Sequence, residues 1–285
     1  MSLLIVFICI FIFVGILENM RELHSFRVTH YVAHSSKLQK LKKDKKMVVL
    51  SDLHNHVYGV KNQKLVDAIR NIQPDIIIIA GDMIIGDLQS SYQTTFDFVA
   101  QLPDICPVYY TNGNHEQRFK EKSKQAEESY QEYQKELEAY GVVFLNNDSK
   151  KIYLDNIPII ITGIELPLSD YCRGKGKPFS LSEVKQRIGI ANTDYYNLLV
   201  SHSPTFTATY KEWGADMVVS GHLHGGIIRI PGFRGVITPQ AHLFPKYSGE
   251  LHREENMWVV ISKGLGTHTV NIRLFNPAEI VVVHL

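Results

Sequence analysis

The chain has 285 residues, of which 45% are hydrophobic and 21% charged, proportions typical of a globular protein with a sizeable core. Its 30 basic and 29 acidic residues leave a net charge of +1, which argues against a nucleic-acid-binding protein with an extended basic surface. Three scattered cysteines, Cys9, Cys106 and Cys172, are too few for a disulfide framework or a cysteine-based zinc site.

The N-terminus departs from this composition. Leu3 to Leu17 is an uncharged run of 15 residues, slightly shorter than the roughly 17–25 residues of a membrane-spanning helix. A cleaved signal peptide has basic residues before such a run and a small-residue cleavage site after it, and this sequence has neither. A core helix would show a polar face, which this run lacks. We therefore expect residues 1–20 to be an uncleaved, single-pass membrane anchor.

The positions of basic residues indicate on which side of the membrane the main body of the chain lies. Arg21, Arg27, Lys37 and a lysine cluster in residues 40–46 all follow the apolar run, so the positive-inside rule favours a cytoplasmic main body. However, residues 26–32 alternate between apolar and polar with a period of two, which is typical of a strand in a folded domain. In that case only Arg21 lies beside the membrane, and the side stays open.

Residues 27–285 contain no linker, repeat or second compositional regime, which predicts one domain. Buried apolar runs predict six strands in its first part: Met47–Leu50, Asp75–Ala80, Pro107–Thr111, Ile157–Thr162, Leu198–Val200 and Met217–Val219. Two helices are predicted between them. One begins at Asn62 and ends before Pro74, and the other, highly charged, covers Phe119–Tyr140 and ends at Gly141.

After Gly226 the pattern predicts strands without helices. These are Ile227–Ile230, Met257–Ser262, Val270–Phe275 and Glu279–Leu285. Continuous apolar runs indicate strands that are covered on both faces, and the last third indicates a second sheet packed on the first. The predicted fold class is α/β, a four-layer αββα sandwich of two mixed β-sheets flanked by helices and preceded by one N-terminal hydrophobic helix.

Five of the predicted strands end in clusters of metal-ligating residue types. The clusters are Asp52-Leu53-His54, Gly81-Asp82, Gly113-Asn114-His115-Glu116, Ser201-His202 and Gly221-His222-Leu223-His224-Gly225-Gly226. Each cluster alone is a weak signal: the first two are common in turns and helix caps, whereas the His-x-His pair, with alternate residues on one side of an extended segment, is more suggestive. Because ligands bind beyond the carboxyl ends of strands in open α/β sheets, the five together indicate one metal site.

The residue types also indicate which metals bind. Carboxylates mixed with imidazoles, without a thiolate, suit Mn, Fe or Zn. Six or seven ligands exceed the needs of one ion, so the pattern favours two divalent ions that share a bridging carboxylate. Two ions about 3.5–4 Å apart can stabilise both the attacking and the leaving oxygen of a displacement at phosphorus.

In order and spacing, over roughly residues 45–226, the five clusters resemble the motif set of the calcineurin-like metallophosphoesterases. Ser51–Asn55 and Gly221–Gly226 also look like the small bacterial branch that has an N-terminal membrane segment. The resemblance implies a metallo-dependent phosphatase-like fold. It also implies dinuclear hydrolysis of a phosphomono- or diester, with a hydroxide that bridges the two metal ions as the nucleophile.

The resemblance implies a role for each residue of the site. Seven residues would bind metal, three on each ion and one shared: Asp52, His54 and His224 on the first, Asn114, His202 and His222 on the second, and Asp82 on both. His115 would not be a ligand. It would protonate the leaving oxygen or stabilise charge on the phosphoryl group, as a general acid does.

Other positions concern the substrate. The segment Gly81–Ile85 lacks a further carboxylate that often follows in this branch, for which Asp87 could compensate, and Ile227 stands where the branch often has Gln. His56 and the basic loop from Tyr171 to Lys177 are candidate contacts of a substrate. These positions affect substrate contacts, whereas every proposed metal ligand is intact.

The sequence favours an enzyme acting on a small-molecule or lipid-linked phosphoester. The anchor would place the site near a bilayer, and the resemblance extends to relatives that cleave the pyrophosphate link of UDP-diacylglucosamine. A membrane-tethered metal-binding scaffold without turnover would predict damage to at least one ligand position, and none is damaged. A metal-dependent nuclease would need a basic groove, which the near-neutral charge disfavours.

Overall fold

Helices and strands alternate through most of the chain. The computed structural model describes residues 2–171, 179–226, 228–230, 235–238, 243–267 and 271–285. The helices are α1 (Ser2–Leu23), α2 (Gln63–Ile72), α3 (Gln93–Val99), α4 (Asn114–Lys122), α5 (Lys124–Ala139), α6 (Leu181–Ile188) and α7 (Thr207–Trp213). The strands are β1 (Phe26–Val32), β2 (Lys46–Leu50), β3 (Ile76–Ile79), β4 (Val108–Tyr110), β5 (Val142–Phe144), β6 (Asp148–Leu154), β7 (Ile157–Ile164), β8 (Tyr196–Ser201), β9 (Met217–Ser220), β10 (Ile228–Arg229), β11 (Gly235–Ile237), β12 (Glu250–Glu254), β13 (Met257–Ile261) and β14 (Ala278–His284).

Two six-stranded sheets carry the fold. The first has the strand order β1-β14-β2-β3-β4-β5, and the second has the order β12-β13-β9-β8-β7-β6. In the first sheet β2 to β5 are parallel, and β14 runs antiparallel to β2. In the second sheet β13, β9, β8 and β7 are parallel, and the edge strands β12 and β6 are antiparallel to their neighbours. Both sheets are therefore mixed.

Three hydrophobic clusters separate four layers. Between the sheets, side chains such as Val49 and Ile78 of the first pack with Val200 and Val219 of the second. The outer face of the first sheet is covered by residues of α2, α3 and α5, and that of the second by residues of α6 and α7. Since each sheet buries both faces, its central strands are continuous apolar runs. The predicted αββα sandwich is confirmed.

Helix α1 precedes these layers. Leu3–Leu23 is long and apolar enough to cross a membrane, and its apolar side chains are exposed to the surroundings. Strand β1 has the bounds that the period-two pattern suggested. Lys46 begins β2, and Lys45 forms ion pairs with Asp75 and Asp155, both at 3.1 Å, so these lysines belong to the folded domain.

Three predictions about individual elements are wrong. The predicted helix Phe119–Tyr140 is two helices, because Ser123 has an extended backbone and its Oγ accepts a hydrogen bond from the Ala126 amide, which starts α5. A strand was predicted over Val270–Phe275. In the described part of that range, residues 271–275, the backbone forms only an isolated bridge between Leu274 and Ile228. The last strand, β14, lies in the first sheet between β1 and β2 and not in a second sheet with the other strands of the last third. The sequence could not show this, because an apolar pattern does not reveal which strands form hydrogen bonds with each other.

Candidate metal centre

The five predicted clusters converge at one edge of the sandwich. Each follows the carboxyl end of a parallel strand: β2, β3 and β4 of the first sheet and β8 and β9 of the second. The side chains are buried or nearly so. Asp52 is 0% exposed, Asp82 2% and His202 0%. Two buried carboxylates require compensating positive charge, which neighbouring imidazoles or a bound cation can provide.

The backbone at these positions is unusual. Five of the seven candidate ligands adopt left-handed conformations, with φ of 52° at Asp52, 48° at His54, 55° at Asp82, 72° at His222 and 50° at His224. A side chain makes this region unfavourable by about 1–2 kcal/mol per residue. Such conformations persist where the surrounding structure enforces them, and they cluster at functional sites.

Glycines allow the ligand-bearing loops to touch. At Gly81, where φ is 81°, a Cβ atom would overlap the backbone nitrogen of Gly113. At Gly221 a Cβ atom would overlap the carboxylate of Asp52. The loop after β3 therefore lies directly on the loop after β4, and the loop after β9 lies on that after β2.

One group of ligand atoms comes from Asp52, His54 and His224. The Nε2 atoms of the two histidines are 3.2 Å apart, and the Oδ1 atom of Asp52 lies 3.4 Å from His224 Nε2 and 4.0 Å from His54 Nε2. Two atoms that bind one ion at about 2.0–2.2 Å lie roughly 3 Å apart when they are adjacent around it. These separations fit a shared divalent cation.

A second group comes from Asp82, His202 and His222, whose ligand atoms all lie within 4.8 Å of one another. The Oδ2 atom of Asp82 is 3.0 Å from His202 Nε2 and 3.9 Å from His54 Nε2. It therefore lies between the two groups. Asn114 Oδ1 is buried and accepts no hydrogen bond from any residue that the structure describes, as expected of an oxygen reserved for a metal ion.

Backbone carbonyls orient the imidazoles. His202 Nδ1 lies 2.6 Å from the Ala80 carbonyl oxygen, and His224 Nδ1 lies 3.2 Å from that of Gly266. A carbonyl can only accept, so Nδ1 carries the hydrogen, and Nε2 presents its lone pair to the centre. This is how proteins fix the tautomer of a metal-binding histidine.

The charges of the site support one another. Burial opposes the charged form of His202, but the carboxylates of Asp82 and Asp52 raise its pKa to about 10. Burial likewise opposes ionisation of Asp82, yet His202, His115 and His54 hold its pKa well below the usual range. Burial and the charge of His202 keep the pKa of His222 well below its usual range. Without an ion, a proton on His202 supplies positive charge that a divalent cation would replace.

His115 lies at the same place as these ligands. Its Nδ1 is 2.7 Å from the Ile85 carbonyl oxygen, and its backbone amide donates to Asp82 Oδ1 at 2.8 Å. A ring nitrogen of His115 is within 4.8 Å of ligand atoms of His54 and Asp82. Because a carbonyl can only accept, the hydrogen lies on Nδ1, and Nε2 carries the lone pair of the neutral ring.

Glu116 holds two of the loops together, a role that its motif alone does not reveal. Its buried carboxylate accepts hydrogen bonds from four donors at 2.8–3.0 Å: the amides of Asp82, Met83 and Gly113 and the hydroxyl of Tyr110. Burial and the charge of Asp82 raise its pKa. Its place as the third residue of α4, three residues after Gly113, was the available signal, since Glu at this position often binds backbone amides.

Tyr171 is the other addition to the site. Its ring centroid is 5.0 Å from that of His222 and 6.0 Å from that of His202. Burial and the nearby Asp82 raise the pKa of its hydroxyl well above the usual value, so this hydroxyl stays neutral and can donate a hydrogen bond. It begins the basic loop that was a candidate substrate contact, of which residues 172–177 lie outside the described residues.

The remaining candidates lie apart from the ligand groups. Asp87 pairs with Lys122 at 3.1 Å, and both side chains are largely exposed. His56 packs on Tyr58, with ring centroids 4.7 Å apart. Neither residue joins a cluster of ligand atoms among the described residues. Ile227 lies outside them.

Comparison with known proteins gives the class. A model of the calcineurin-like phosphoesterase family matches residues 45–226, a range that contains all five clusters. The protein is a metal-dependent hydrolase of phosphoric esters. The chain belongs to the calcineurin-like phosphoesterase family, as the resemblance implied.

Individual relatives are distant. The chain is 26% identical over 234 residues to the metallophosphoesterase YkoQ of Bacillus subtilis, covering 81% of this chain and 80% of that one. It is 26% identical over 190 residues to the phosphodiesterase YaeI of Escherichia coli, covering 65% and 63%. A zebrafish (Danio rerio) transmembrane protein with a metallophosphoesterase domain is 24% identical over 243 residues, covering 82% of this chain and 52% of that protein. The matched part of the chain thus corresponds to about half to four-fifths of the length of each of these relatives.

Proposed function

We propose that the chain is a dinuclear phosphoesterase that hydrolyses a phosphomono- or diester with two divalent ions, Mn, Fe or Zn. The position of Asp82 Oδ2, 3.0 Å from His202 Nε2 and 3.9 Å from His54 Nε2, carries this proposal because one oxygen serves both ligand groups. Asp52, His54 and His224 would hold one ion, and Asn114, His202 and His222 the other. When bound, the ions supply an activated water and positive charge for the phosphoryl oxygens.

His115 is the general acid in this proposal. As the bond between phosphorus and the leaving oxygen breaks, Nε2 gives its proton to that oxygen. The hydrogen bond between Nδ1 and the Ile85 carbonyl holds the ring in one orientation. Tyr171, whose ring lies beside that of His222, would donate a hydrogen bond from its hydroxyl to a substrate oxygen.

We further propose that residues 1–20 anchor the phosphoesterase domain, residues 27–285, in a membrane. The length and composition of α1 support this. The anchor favours a substrate whose phosphoester lies at the bilayer surface, including a lipid-linked or nucleotide-sugar pyrophosphate, and the likeness to a phosphodiesterase favours a diester. Arg21 follows the apolar run and favours a cytoplasmic domain. Protease added to sealed, right-side-out vesicles should then leave the domain intact, and its digestion would place the domain outside.

Two neighbouring substitutions test the assignment of roles. The full chain in detergent is loaded with Mn²⁺ and assayed on aryl phosphomono- and diesters, with bound metal counted by mass spectrometry. Asn114→Ala should reduce bound metal from two ions to one. His115→Ala should retain both ions and lose turnover by about 10²–10⁴-fold, the contribution of a positioned general acid.

The outcomes separate the alternatives. If His115→Ala also loses an ion, His115 is a ligand and the general-acid assignment is wrong. If the wild-type chain binds two ions but cleaves no phosphoester of any class, a scaffold without turnover explains the site better. A single bound ion in the wild-type chain would contradict the dinuclear centre.

A further inference from the structure

The last turns of α1 are bound to the folded domain. The Glu22 side chain is 1% exposed, and its Oε2 atom accepts a hydrogen bond from the Asn276 amide at 2.7 Å. Three residues earlier on the same helix, Asn19 Oδ1 accepts one from the Arg273 amide at 2.8 Å. The helix end is therefore fixed to residues 273–276.

Asn276 connects this contact to the metal centre. Its Nδ2 atom donates to the backbone carbonyl of His224, at 2.7 Å, and to that of Gly226. One residue thus contacts Glu22 through its backbone and the ligand loop after β9 through its side chain. Displacing its backbone would move both carbonyl contacts.

Arg273 forms a second connection. Its buried guanidinium donates to the carbonyls of Lys263 at 2.8 Å, Gly264 at 3.1 Å and Gly266 at 2.7 Å. The Gly266 carbonyl is the one that orients the His224 ring through Nδ1. Arg273 therefore fixes the acceptor on which the His224 tautomer depends.

The same segment supports Asp52. The amide of Gly266 donates to the Asp52 carbonyl at 2.6 Å, and the amide of Leu265 donates to the Ser51 carbonyl at 3.0 Å. A Cβ atom on Gly264 would lie 2.7 Å from the Asp52 Cβ atom, so the two backbones are in close contact. The route through Asn276 ends at the His224 loop, and the route through Arg273 ends at both His224 and Asp52, which belong to one group of ligand atoms.

Apart from His222, which shares the loop of His224 and whose amide donates to the Asp52 carboxylate at 3.1 Å, the other group has different support. The His202 ring binds the Ala80 carbonyl, and the loops of Asp82 and Asn114 are joined by Glu116. These contacts lie between the two sheets and at the start of α4. These three bonds involve neither residues 19–22 nor residues 273–276.

We propose that Glu22 is a positioning residue for one half of the metal centre: by holding Asn276, it fixes the loops that present His224 and Asp52. This inference rests on the proposed function, since it assigns Glu22 to one of the two proposed ions. The end of the N-terminal helix would then help to position metal ligands, in addition to any role in anchoring.

The test compares Glu22→Ala with Glu22→Gln and with Glu18→Ala. Glu18 is the matched control because it lies on the same helix and its carboxylate bonds Arg21, at 2.6 and 2.8 Å. Each full-length variant in detergent is titrated with Mn²⁺ by calorimetry, and its thermal unfolding is recorded. Glu22→Ala should weaken one of two binding events by about tenfold or more, the usual cost of losing support behind a ligand. Glu22→Gln, which can still accept from Asn276, should restore it, and Glu18→Ala should match the wild type.

Equal weakening of both binding events in Glu22→Ala, or of neither, would overturn the proposal. Hydrogen exchange of the metal-free variants gives a readout that does not depend on metal. The amides of Gly226 and Gly266 should exchange faster in Glu22→Ala than in Glu18→Ala, and equal rates would contradict the support that we infer. If the wild type binds no Mn²⁺, the dinuclear proposal fails, whereas the exchange rates still decide the role of Glu22.

Discussion

The two halves of the candidate metal centre are held in different ways. Asn114 and His202 are supported from within the sandwich, by Glu116 and by the Ala80 carbonyl. Asp52 and His224 depend on loops near the end of the chain, and those loops contact α1 at its start. Glu22 and Asn276 are 254 residues apart in sequence. One half is thus an extension of the core, and the other also depends on contacts between α1 and residues 273–276.

Asp82 joins the halves, so its removal should have the largest effect. Asp82→Ala should lose both ions and reduce turnover by well over about 100-fold, because even a hydrogen-bond partner of a ligand contributes about 10–100-fold. Metal content and kcat/KM are the measurements. Asp87→Ala is the control, since this exposed carboxylate pairs with Lys122 and should be dispensable. Retention of one tightly bound ion in Asp82→Ala would show that the halves are independent.

Glu116→Gln should have an intermediate effect on the opposite half from Glu22→Ala. Glu116 Oε1 accepts from three donors and Oε2 from two, so an amide nitrogen in place of either oxygen would face at least two donors. Leaving buried donors unpaired costs about 1–3 kcal/mol each. We expect lower stability and weaker Mn²⁺ binding, mainly in the binding event that Glu22→Ala leaves intact. Thermal unfolding and calorimetry measure both, and weakening of the same event in the two variants would contradict two separately supported halves.

Tyr58→Phe should have the smallest effect. The Tyr58 hydroxyl donates to the Leu265 carbonyl at 2.5 Å, in the segment that supports Asp52. Losing one such hydrogen bond costs about 1 kcal/mol, and the melting temperature should fall by roughly 2–4 °C. Tyr153→Phe, at a residue that is 62% exposed, serves as the control and should be neutral. A larger loss of metal affinity than of stability would show that Tyr58 supports the ligands directly.

The fold class and the candidate site residues were predictable from the sequence because that information is local. Each cluster directly follows an apolar run, and the carboxyl ends of parallel strands share an edge, so the order of residue types alone places Asp52, Asp82 and His202 together. The helix α2 followed from its own apolar face between Asn62 and Pro74. Glu116 stood inside a recognised motif, but its role depends on two loops that meet only in the folded sheet.

The contacts of α1 could not be predicted, since they pair residues from opposite ends of the sequence. Glu22 and Asn19 look like ordinary polar residues after an apolar run, and Arg273 like a surface charge. The break at Ser123 was easier to predict, because serine favours the position before a helix. The charged composition of Phe119–Tyr140 suits one helix or two equally well.

The place of β14 has a consequence for the order of synthesis. This strand pairs with β1 on one side and β2 on the other, and β1 has no other strand partner among the described residues. The ribosome makes β14 after all the other strands of the two sheets, so β1 stays unpaired while those strands are translated. Asn276, two residues before β14, becomes available to Glu22 and His224 at the same late moment. Metal loading is therefore expected to follow the synthesis of residues 273–285, and a nascent chain that lacks them should have no complete site.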